Sequence, residues 1–376
     1  MFFRKKELPP PVLPADPAHW SLGTGEERER LLPLLLRELD SPLPSRRERA
    51  VELLAEAGEE QALPALLSLA RRETNPMVRW RALQAISRLA GEAAGPAELP
   101  SSEEVSAWRD EALADLLSRL ENEQAGRRWE AAEGLGELGD PRAIPALVRA
   151  LRDPHAFVRW AAAQAIGRIG GEEAVSLLLP LLRESDPLVR RSAADALGYL
   201  DTPAVRQALR QALRDPEPAV RRNAIEAVAR LGDREATGIL AALLTSSDDF
   251  WVRYSAAEAL GIVGDHRAIA ALIEAAQDRQ VLLRRAAVRS LGLLRDSRAV
   301  APLVRALDDP DPQVRLHAVE GLGRLGHEGV LPKLERLLHD SSGVFGQTVG
   351  EEARRAIEAI RSRTETRKGR VQRSRP

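Results

Sequence analysis

The sequence has 376 residues, no cysteine, 3% aromatic residues and a formal net charge of −1. Without cysteine, the chain can form neither a disulfide framework nor a thiolate metal site, and it has no cysteine nucleophile. The apolar runs are shorter than the roughly 18 residues that span a bilayer, and the apolar part of residues 1–6 is too short for a signal peptide, so we expect a cytoplasmic protein.

The two ends differ in composition from the rest of the chain. Residues 1–25 contain the run Leu-Pro-Pro-Pro-Val-Leu-Pro and are predicted to form an extended, proline-rich leader. Residues 361–376 contain seven basic residues and one acidic residue, so this end carries +6 and the remainder of the chain −7. We expect residues 362–376 to be a basic, disordered tail.

A repeat of about 31 residues covers most of the sequence. It is marked by an arginine that usually follows valine, with spacings of 49, 31, 31, 31, 32, 31 and 31 residues between copies. These arginines are Arg79, Arg128, Arg159, Arg190, Arg221, Arg253, Arg284 and Arg315. Degenerate copies around Arg47 and across 352–360 bring the number to about ten.

Each copy is predicted to be a helix, a turn, a second helix and another turn. Asp140 is placed to cap the first helix, with proline next to it, and three later aspartates repeat this cap: Asp233, Asp265 and Asp296. Aspartate-proline pairs are expected to end the first helices, since a residue before proline avoids the α region; they are Asp153-Pro154, Asp186-Pro187, Asp215-Pro216 and Asp309-Pro310. In the second helix the apolar residues share one face, and Gly170 provides a left-handed end.

The segment Val189-Arg190, Ala193, Ala196-Leu197-Gly198 and Leu200 resembles the HEAT repeat, most closely the phycobilisome-lyase type. The resemblance implies an all-α fold, a right-handed α-solenoid of about ten HEAT-like two-helix repeats over residues 26–361. One insertion at about 91–102 and a smaller one at 343–350 interrupt the array, each either a partner contact or a tolerated surface loop.

The sequence indicates no catalytic, cofactor-binding or metal-binding residues. Two GxGxxG matches, at 134–139 and 321–326, fall at helix ends, whereas a dinucleotide site needs a strand before the motif. Deoxyhypusine hydroxylase, built on the same repeat, uses His-Glu pairs at the start of second helices to hold iron. The only such pair here, His327-Glu328, is predicted to lie in a turn, which argues against that activity.

The repeating arginine has two interpretations. It could line a binding surface, or it could pair with the aspartate of the turn before a second helix and join neighbouring repeats. The second interpretation is favoured, because the position follows the repeat and not a single ligand.

The residue after the repeating arginine falls off the apolar face of the second helix, which lines the concave side in HEAT arrays. Aromatic residues and arginines there predict a partner-binding groove, because these residues dominate interface energies. Tyr199, farther along the helix that carries Arg191, is added to this set, so the groove residues are Trp80, Trp129, Trp160, Arg191, Tyr199, Arg222, Tyr254 and Arg285. The alternative is that each tryptophan packs against the next repeat and each arginine forms an ordinary pair within its helix.

The sequence therefore predicts a non-catalytic scaffold or adaptor that binds a protein or peptide in its concave groove. Resemblance to the phycobilisome-lyase group implies a second function, attachment or removal of a bilin on a protein. Binding of nucleic acid or an anionic surface through the basic tail is a third.

Overall fold

We analysed a computed structural model that describes Leu13, Trp20 and residues 26–90, 99–344 and 346–373. Over these residues the chain forms helices in pairs, with the odd-numbered helices first in each pair and the even-numbered helices second. They are α1 Glu26–Glu38, α2 Pro44–Ala57, α3 Leu63–Arg72, α4 Pro76–Leu89, α5 Ser102–Leu120, α6 Ala125–Leu138, α7 Ile144–Ala150, α8 Ala156–Ile169, α9 Glu172–Leu178, α10 Pro187–Leu197, α11 Pro203–Ala212, α12 Pro218–Arg230, α13 Thr237–Ser246, α14 Phe250–Val263, α15 Ile269–Ala275, α16 Val281–Leu294, α17 Val300–Ala306, α18 Pro312–Leu325, α19 Leu331–Glu335 and α20 Val349–Arg373. The predicted number of about ten helix pairs is confirmed.

The chain divides into two compact units, Met1–Ala146 and Leu147–Pro376, referred to below as the N-terminal and C-terminal units. In the N-terminal unit, α2 packs on α4 and α4 packs on α5. In the C-terminal unit, each second helix packs on the next one, from α8 to α20. Their shared core consists mainly of alanine, valine, leucine and isoleucine, and small side chains let the helices approach closely.

The contact between α16 and α18 illustrates how close this approach is. A Cβ atom added at Gly292 would lie 2.8 Å from the Cα of Gly321, so the two backbones touch with no side chain between them. Glycine is therefore required by packing here, which explains the first glycine of the second GxGxxG match without a nucleotide.

The predicted caps are confirmed, with one refinement. Asp140, Asp233, Asp265 and Asp296 each accept a hydrogen bond from the backbone N–H two residues later, at 3.0, 3.1, 2.9 and 2.9 Å. The element that they cap is a single 3-10 turn, such as Pro141–Ala143, which leads directly into the first helix. At Asp265 and Asp296, hydrogen bonds from the arginine two residues later lower the pKa of the carboxyl to about 2.

One aspartate-proline pair has a different role from the one predicted. Asp186 is the N-cap of α10 and accepts from Leu188 N–H at 2.8 Å, while Pro187 is the first helical residue. The pair therefore starts a second helix and does not end a first helix. Proline at the first position of a helix loses no hydrogen bond, which is why the same dipeptide serves both purposes.

The repeating arginines confirm the structural interpretation. Each side chain donates to a backbone carbonyl just before its own helix, in the preceding turn or, for Arg253, at Leu244 O in the last turn of α13. Where an acid is available, it also donates to a carboxylate in the corresponding turn of the next repeat. Arg190 illustrates both contacts, with Glu184 O at 2.8 Å and with both carboxylate oxygens of Asp215 at 2.8 and 3.0 Å. The other pairs of this kind are Arg47 with Glu73, Arg253 with Asp278, Arg284 with Asp309, and Arg315 with Asp340. We call this series the arginine ladder.

The ladder lacks its carboxylate contact at two positions of the C-terminal unit. For Arg221 the corresponding turn residue is Ser247, and within the described residues Arg221 donates only to the carbonyls of Asp215 and Pro216. For Arg159 it is Glu184, which pairs instead with Arg152 at 2.9 Å. Arg159 donates to the carbonyls of Asp153 and Pro154.

Both ends of the chain depart from the predicted boundaries. Trp20, in the predicted extended leader, is buried in the core of the N-terminal unit, and its carbonyl accepts from Arg49 Nη2 at 2.9 Å. Helix α20 continues to Arg373, so residues 362–373 are helical where disorder is predicted. Extending a packed helix costs far less than nucleating a new one, and the segment contains no proline before Pro376.

The two predicted insertions have different outcomes. Most of the insertion at 91–102, residues 91–98, lies outside the described residues, and α5 begins directly after it with a capping box formed by Ser101 and Glu104. The insertion at 343–350 contains a two-stranded antiparallel hairpin, β1 Gly343–Val344 and β2 Gln347–Thr348.

Candidate functional site

The exposed face of the second helices in the C-terminal unit contains three rows of residues, each at a fixed distance from the ladder arginine. Residues three and four positions apart in a helix lie above one another, so the three rows share one face. The apolar row, two positions before the ladder arginine, is Phe157, Leu188, Ala219, Trp251, Leu282 and Gln313. The face row, one position after it, is Trp160, Arg191, Arg222, Tyr254, Arg285 and Leu316. The acidic row, five positions after it, is Gln164, Asp195, Glu226, Glu258, Arg289 and Glu320.

The apolar row was missed by the sequence analysis. Four of its members are large, and between 42% and 50% of their surface is exposed: Phe157, Leu188, Trp251 and Leu282. They stand in the first turn of their helices, where the ladder arginine marks their position in the sequence. The signal that could have found them is a large apolar residue repeating at a position outside the buried face.

The face row is divided between exposed, half-buried and buried side chains. Trp160 is 48% exposed and Leu316 is buried, while the four residues between them are half-buried. Trp251 packs edge-on against Tyr254, with ring centroids 5.9 Å apart, so the apolar row and the face row touch there. The predicted groove residues of the face row in this unit therefore lie on one surface. The last residue of the row, Leu316, is buried in the core and does not contribute to that surface.

In the N-terminal unit, Trp80 and Trp129 are both half-buried. The guanidinium of Arg109 lies 6.0 Å from the ring centroid of Trp80, and Trp80 Nε1 has no hydrogen-bond partner in the described part of the chain. Packing of this kind is the alternative that the sequence left open for the tryptophans. The structure assigns no partner-binding role to Trp80 or Trp129, and their role in a groove stays a prediction.

Tyr199 lies one turn beyond the acidic row, in the turn that follows α10, and its ring is covered. The guanidinium of Arg230 stacks 4.0 Å from the ring centroid, and on the other side a Cβ at Gly167 would lie 2.3 Å from the Tyr199 Cβ. Burial raises the pKa of the Tyr199 hydroxyl. Tyr199 is thus held between α8 and α12, and it supports the face more than it offers an open contact.

Arg285 is neutralised by its neighbour. Its Nε and Nη2 donate to the two carboxylate oxygens of Asp311, at 2.8 and 2.5 Å, and Asp311 also caps α18. The bidentate contact with Arg285 holds the pKa of the Asp311 carboxyl below its ordinary value. Of the predicted groove arginines, this one has an evident structural role.

Arg191 and Arg222 differ from Arg285. Each is half-buried, and within the described residues neither side chain makes a hydrogen bond or an ion pair. They belong to adjacent packed helices, and the side chain of Asn223 donates to the Arg191 carbonyl at 3.5 Å. These two guanidinium groups therefore keep all their donors available to a ligand.

Two acids of the acidic row lie beside these arginines. Asp195 pairs with Arg230 at 3.3 Å, and burial raises the pKa of the Asp195 carboxyl against the opposing effect of Arg230. Desolvation also raises the pKa of Glu226, with the charge of Asp195 contributing. The α8, α10 and α12 part of the face holds four arginines against these two acids, Arg168, Arg191, Arg222 and Arg230, so its net charge is positive.

Farther along the same face, α14, α16 and α18 surround an open pocket of about 530 Å³. Tyr254, Leu282 and Leu293 provide its aromatic and apolar lining. Its charged groups are paired: Arg289 lies 3.4 Å from Glu258, and His317 Nδ1 lies 3.4 Å from Glu320. The hydrogen bond with His317 lowers the pKa of the Glu320 carboxyl.

The described ranges contain no group of three or more histidines and carboxylates that could hold a metal ion. His327 caps a 3-10 turn after α18, which is where the sequence placed the one His-Glu pair. In the part of the chain that the structure describes, no helix combines the length and apolarity needed to cross a membrane.

Comparison with known families identifies the repeat. The model of the family described as HEAT repeats matches residues 32–100, 111–198, 175–261, 207–287 and 269–358, well over half of the chain. The chain therefore belongs to the HEAT-repeat family, and its fold is an all-α solenoid of these repeats, as predicted. A search of curated proteins found no match.

Solved structures extend the likeness to several functional classes. The phycocyanin lyase complex of CpcE and CpcF from Nostoc sp. PCC7120 is 21% identical, with 66% of this chain and 94% of that chain covered and a TM-score of 0.37. Human deoxyhypusine hydroxylase is 25% identical, with 68% and 98% covered and a TM-score of 0.32. Kap121p is 13% identical, with 88% of this chain and 45% of that chain covered and a TM-score of 0.53. The likeness to Kap121p, at a TM-score of 0.53, shows the fold alone, and function has to be argued from the site.

Proposed function

We propose that this protein is a non-catalytic scaffold that binds a partner protein or peptide along the exposed face of its second helices. The observation that supports this proposal is the apolar row, four large side chains at the same position of α8, α10, α14 and α16, each nearly half exposed. Contiguous exposed apolar surface is the usual mark of an interface.

The rigidity of the repeat supports the same proposal. Four ladder pairs hold second helices of the C-terminal unit to the turns of the following repeats. A backbone that is held in place before binding loses little conformational entropy when it binds, so a modest area can give useful affinity. Exposed tryptophans, here Trp160 and Trp251, are the residues most often found at the centre of such interfaces.

Photo-crosslinking tests the location of the interface. A benzophenone amino acid replaces Leu188 or Leu282 on the face, and Gln207 or Ala301, exposed on first helices, in the control variants. We expect partner crosslinks in the native cell extract from the two face positions only. Equal crosslinking from first-helix positions, or none from any of the four, would contradict the proposal.

A second test uses substitution. The variant Trp160→Ala/Trp251→Ala removes two exposed rings, so partner capture should weaken at least tenfold while helicity by circular dichroism stays unchanged. Loss of helicity would instead mean that the two rings serve packing.

The two other predicted functions keep their status as predictions. Bilin attachment rests on resemblance to the phycobilisome-lyase group, and at 21% identity that likeness shows the fold alone. Binding of nucleic acid through the basic tail concerns residues 362–376, whose side chains lie largely outside the described residues. Incubating the protein with a bilin or an oligonucleotide, with and without residues 362–376, tests both.

A further inference from the structure

We infer that the partner presents an acidic segment to the α8, α10 and α12 part of this face, with carboxylates bound by Arg191 and Arg222 and apolar residues on either side. This inference deepens the proposed function and depends on it. It starts from the two half-buried guanidinium groups that pair with no acid among the described residues.

Two acids of the chain occupy the sequence position that pairs with Arg285 in α18, but among the described residues they form no pair with Arg191 or Arg222. Glu217 and Asp249 begin α12 and α14 at the positions that Asp311 occupies in α18, yet neither contacts the corresponding arginine. Asp249 accepts from Val252 N–H at 2.8 Å and serves as a cap, and Glu217 makes no cap hydrogen bond. A half-buried arginine with no hydrogen bond or ion pair within the described residues is a site where an incoming carboxylate gains a strong, bidentate contact.

Charge favours a carboxylate-bearing protein over a nucleic acid. Four arginines lie on this part of the face, and Arg230 is already paired with Asp195, whereas polyanion binding uses roughly 6 to 10 phosphate contacts. The acidic row begins one helical turn away with Asp195 and Glu226, and a continuous phosphate backbone would be repelled there. A peptide can place two acids at the arginines and uncharged residues elsewhere.

The spacing of the helices specifies the segment further. Packed helices are about 8 to 10 Å apart, and an extended chain advances about 3.3 Å per residue, so successive face-row residues are about three peptide residues apart. From α8 to α14 the face row reads Trp160, Arg191, Arg222, Tyr254. The complementary segment therefore has four contact residues about three positions apart, in the order apolar, acidic, acidic, apolar. This order is symmetric, so the segment can bind in either chain direction.

Peptide display on the intact, immobilised protein tests this pattern. A random twelve-residue library should give enriched peptides with two acids about three residues apart and apolar residues outside them. Enrichment should disappear on Arg191→Glu/Arg222→Glu and persist on Arg183→Glu/Arg214→Glu. The control pair makes the same change in net charge at exposed turn positions away from the face.

Titration of an enriched peptide by fluorescence polarisation gives the magnitudes. The double reversal Arg191→Glu/Arg222→Glu should weaken binding at least a hundredfold, because two charge-assisted contacts become repulsive. Glu226→Gln should strengthen it about two- to threefold by removing a nearby like charge. A purely structural role for these residues does not predict opposite effects of the two changes.

Several results would overturn the inference. Enriched peptides that are apolar but carry no acid, and that are lost on Trp160→Ala/Trp251→Ala, would refute the acidic segment while supporting the proposed function. Basic peptides, or no enrichment at all, would also refute it, and crosslinking from Leu188 and Leu282 would then judge the proposed function separately. Binding of a labelled 20-nucleotide single strand that is lost on Arg191→Glu/Arg222→Glu would replace the partner class.

Discussion

In the C-terminal unit, the half of the exposed face formed by α8 to α12 differs from the half formed by α14 to α18. In the first half Arg191 and Arg222 are unpaired within the described residues, and in the second half Arg285 is bound to Asp311 and Arg289 lies by Glu258. The repeat supplies arginine and an acid in both halves. Composition therefore does not determine which half is available to a ligand; the position of one carboxylate at the start of the following second helix does.

The largest expected effect is the loss of stability when a ladder arginine is removed, and it tests whether ladder and face arginines have distinct roles. Arg284 contacts both carboxylate oxygens of Asp309 and two backbone carbonyls, and both side chains of the pair are nearly buried. Arg284→Ala leaves Asp309 without its partner and should cost about 3 kcal/mol of stability. The measurement is hydrogen exchange in α16 and α18.

The matched control is Arg191→Ala, which breaks no ion pair and should change stability by less than about 0.5 kcal/mol. Equal destabilisation by both variants would remove the distinction between the ladder and the face.

A substitution with a smaller expected effect should make the second half of the face resemble the first by freeing Arg285. Asp311→Asn keeps a side chain that caps α18 well and removes the charge that holds Arg285. We expect a loss of about 1 kcal/mol in urea unfolding, because the pair is only partly buried. Acidic peptides that the wild type binds through Arg191 and Arg222 should then also bind at Arg285, detectable as a second equivalent in titration.

If Asp311→Asn gains no peptide binding, a free face-row arginine is insufficient by itself. Trp160 and Leu188, which lie beside the arginines of the first half, would then also be needed for binding.

The smallest effect concerns the acidic row. Burial raises the pKa of Glu226, whereas His317 lowers the pKa of Glu320, so on acidification Glu226 should take up its proton first. Because its pKa is raised, the environment of Glu226 favours the folded state more as the pH falls. That of Glu320 stabilises it above the ordinary glutamate pKa, and this stability is lost as the pH falls through the lowered value.

Carbon-13 NMR of glutamate-labelled protein can follow both titrations, with Glu226→Gln and Glu320→Gln to assign the signals. His317→Ala should raise the pKa of Glu320 and bring the two titrations closer. The reverse order of protonation would show that the surroundings of the two carboxylates are not as described.

Much of the fold is predictable from the sequence because the repeat determines it locally. The caps at Asp140, Asp233, Asp265 and Asp296 and the ladder partners recur at fixed spacings, and each depends on residues close to one another in consecutive repeats. Trp20 is different: its burial depends on how a proline-rich segment returns to the core, and no periodicity predicts that. Asp186-Pro187 shows a similar limit, since the dipeptide suits both the end of one helix and the start of another.

The candidate site was only partly predictable for a related reason. Trp160, Arg191, Arg222 and Tyr254 could be placed on one face from helical spacing alone. The pairing of Arg285 with Asp311 could not, because Glu217 and Asp249 occupy the corresponding positions and remain unpaired with the face row. A difference of side-chain length and cap geometry separates these cases, and it becomes visible only in three dimensions.

The arginine ladder also has a mechanical consequence. Arg190 and Asp215 tie α10 to the turn before α12, whereas the joints on either side, at Arg159 and Arg221, have no such carboxylate tie among the described residues. Bending of the C-terminal unit should therefore concentrate at the α8–α10 and α12–α14 joints. The pair α10 and α12 then moves as one stiff block, keeping Arg191 and Arg222 at a constant separation while the aromatic residues on both sides adjust to what is bound.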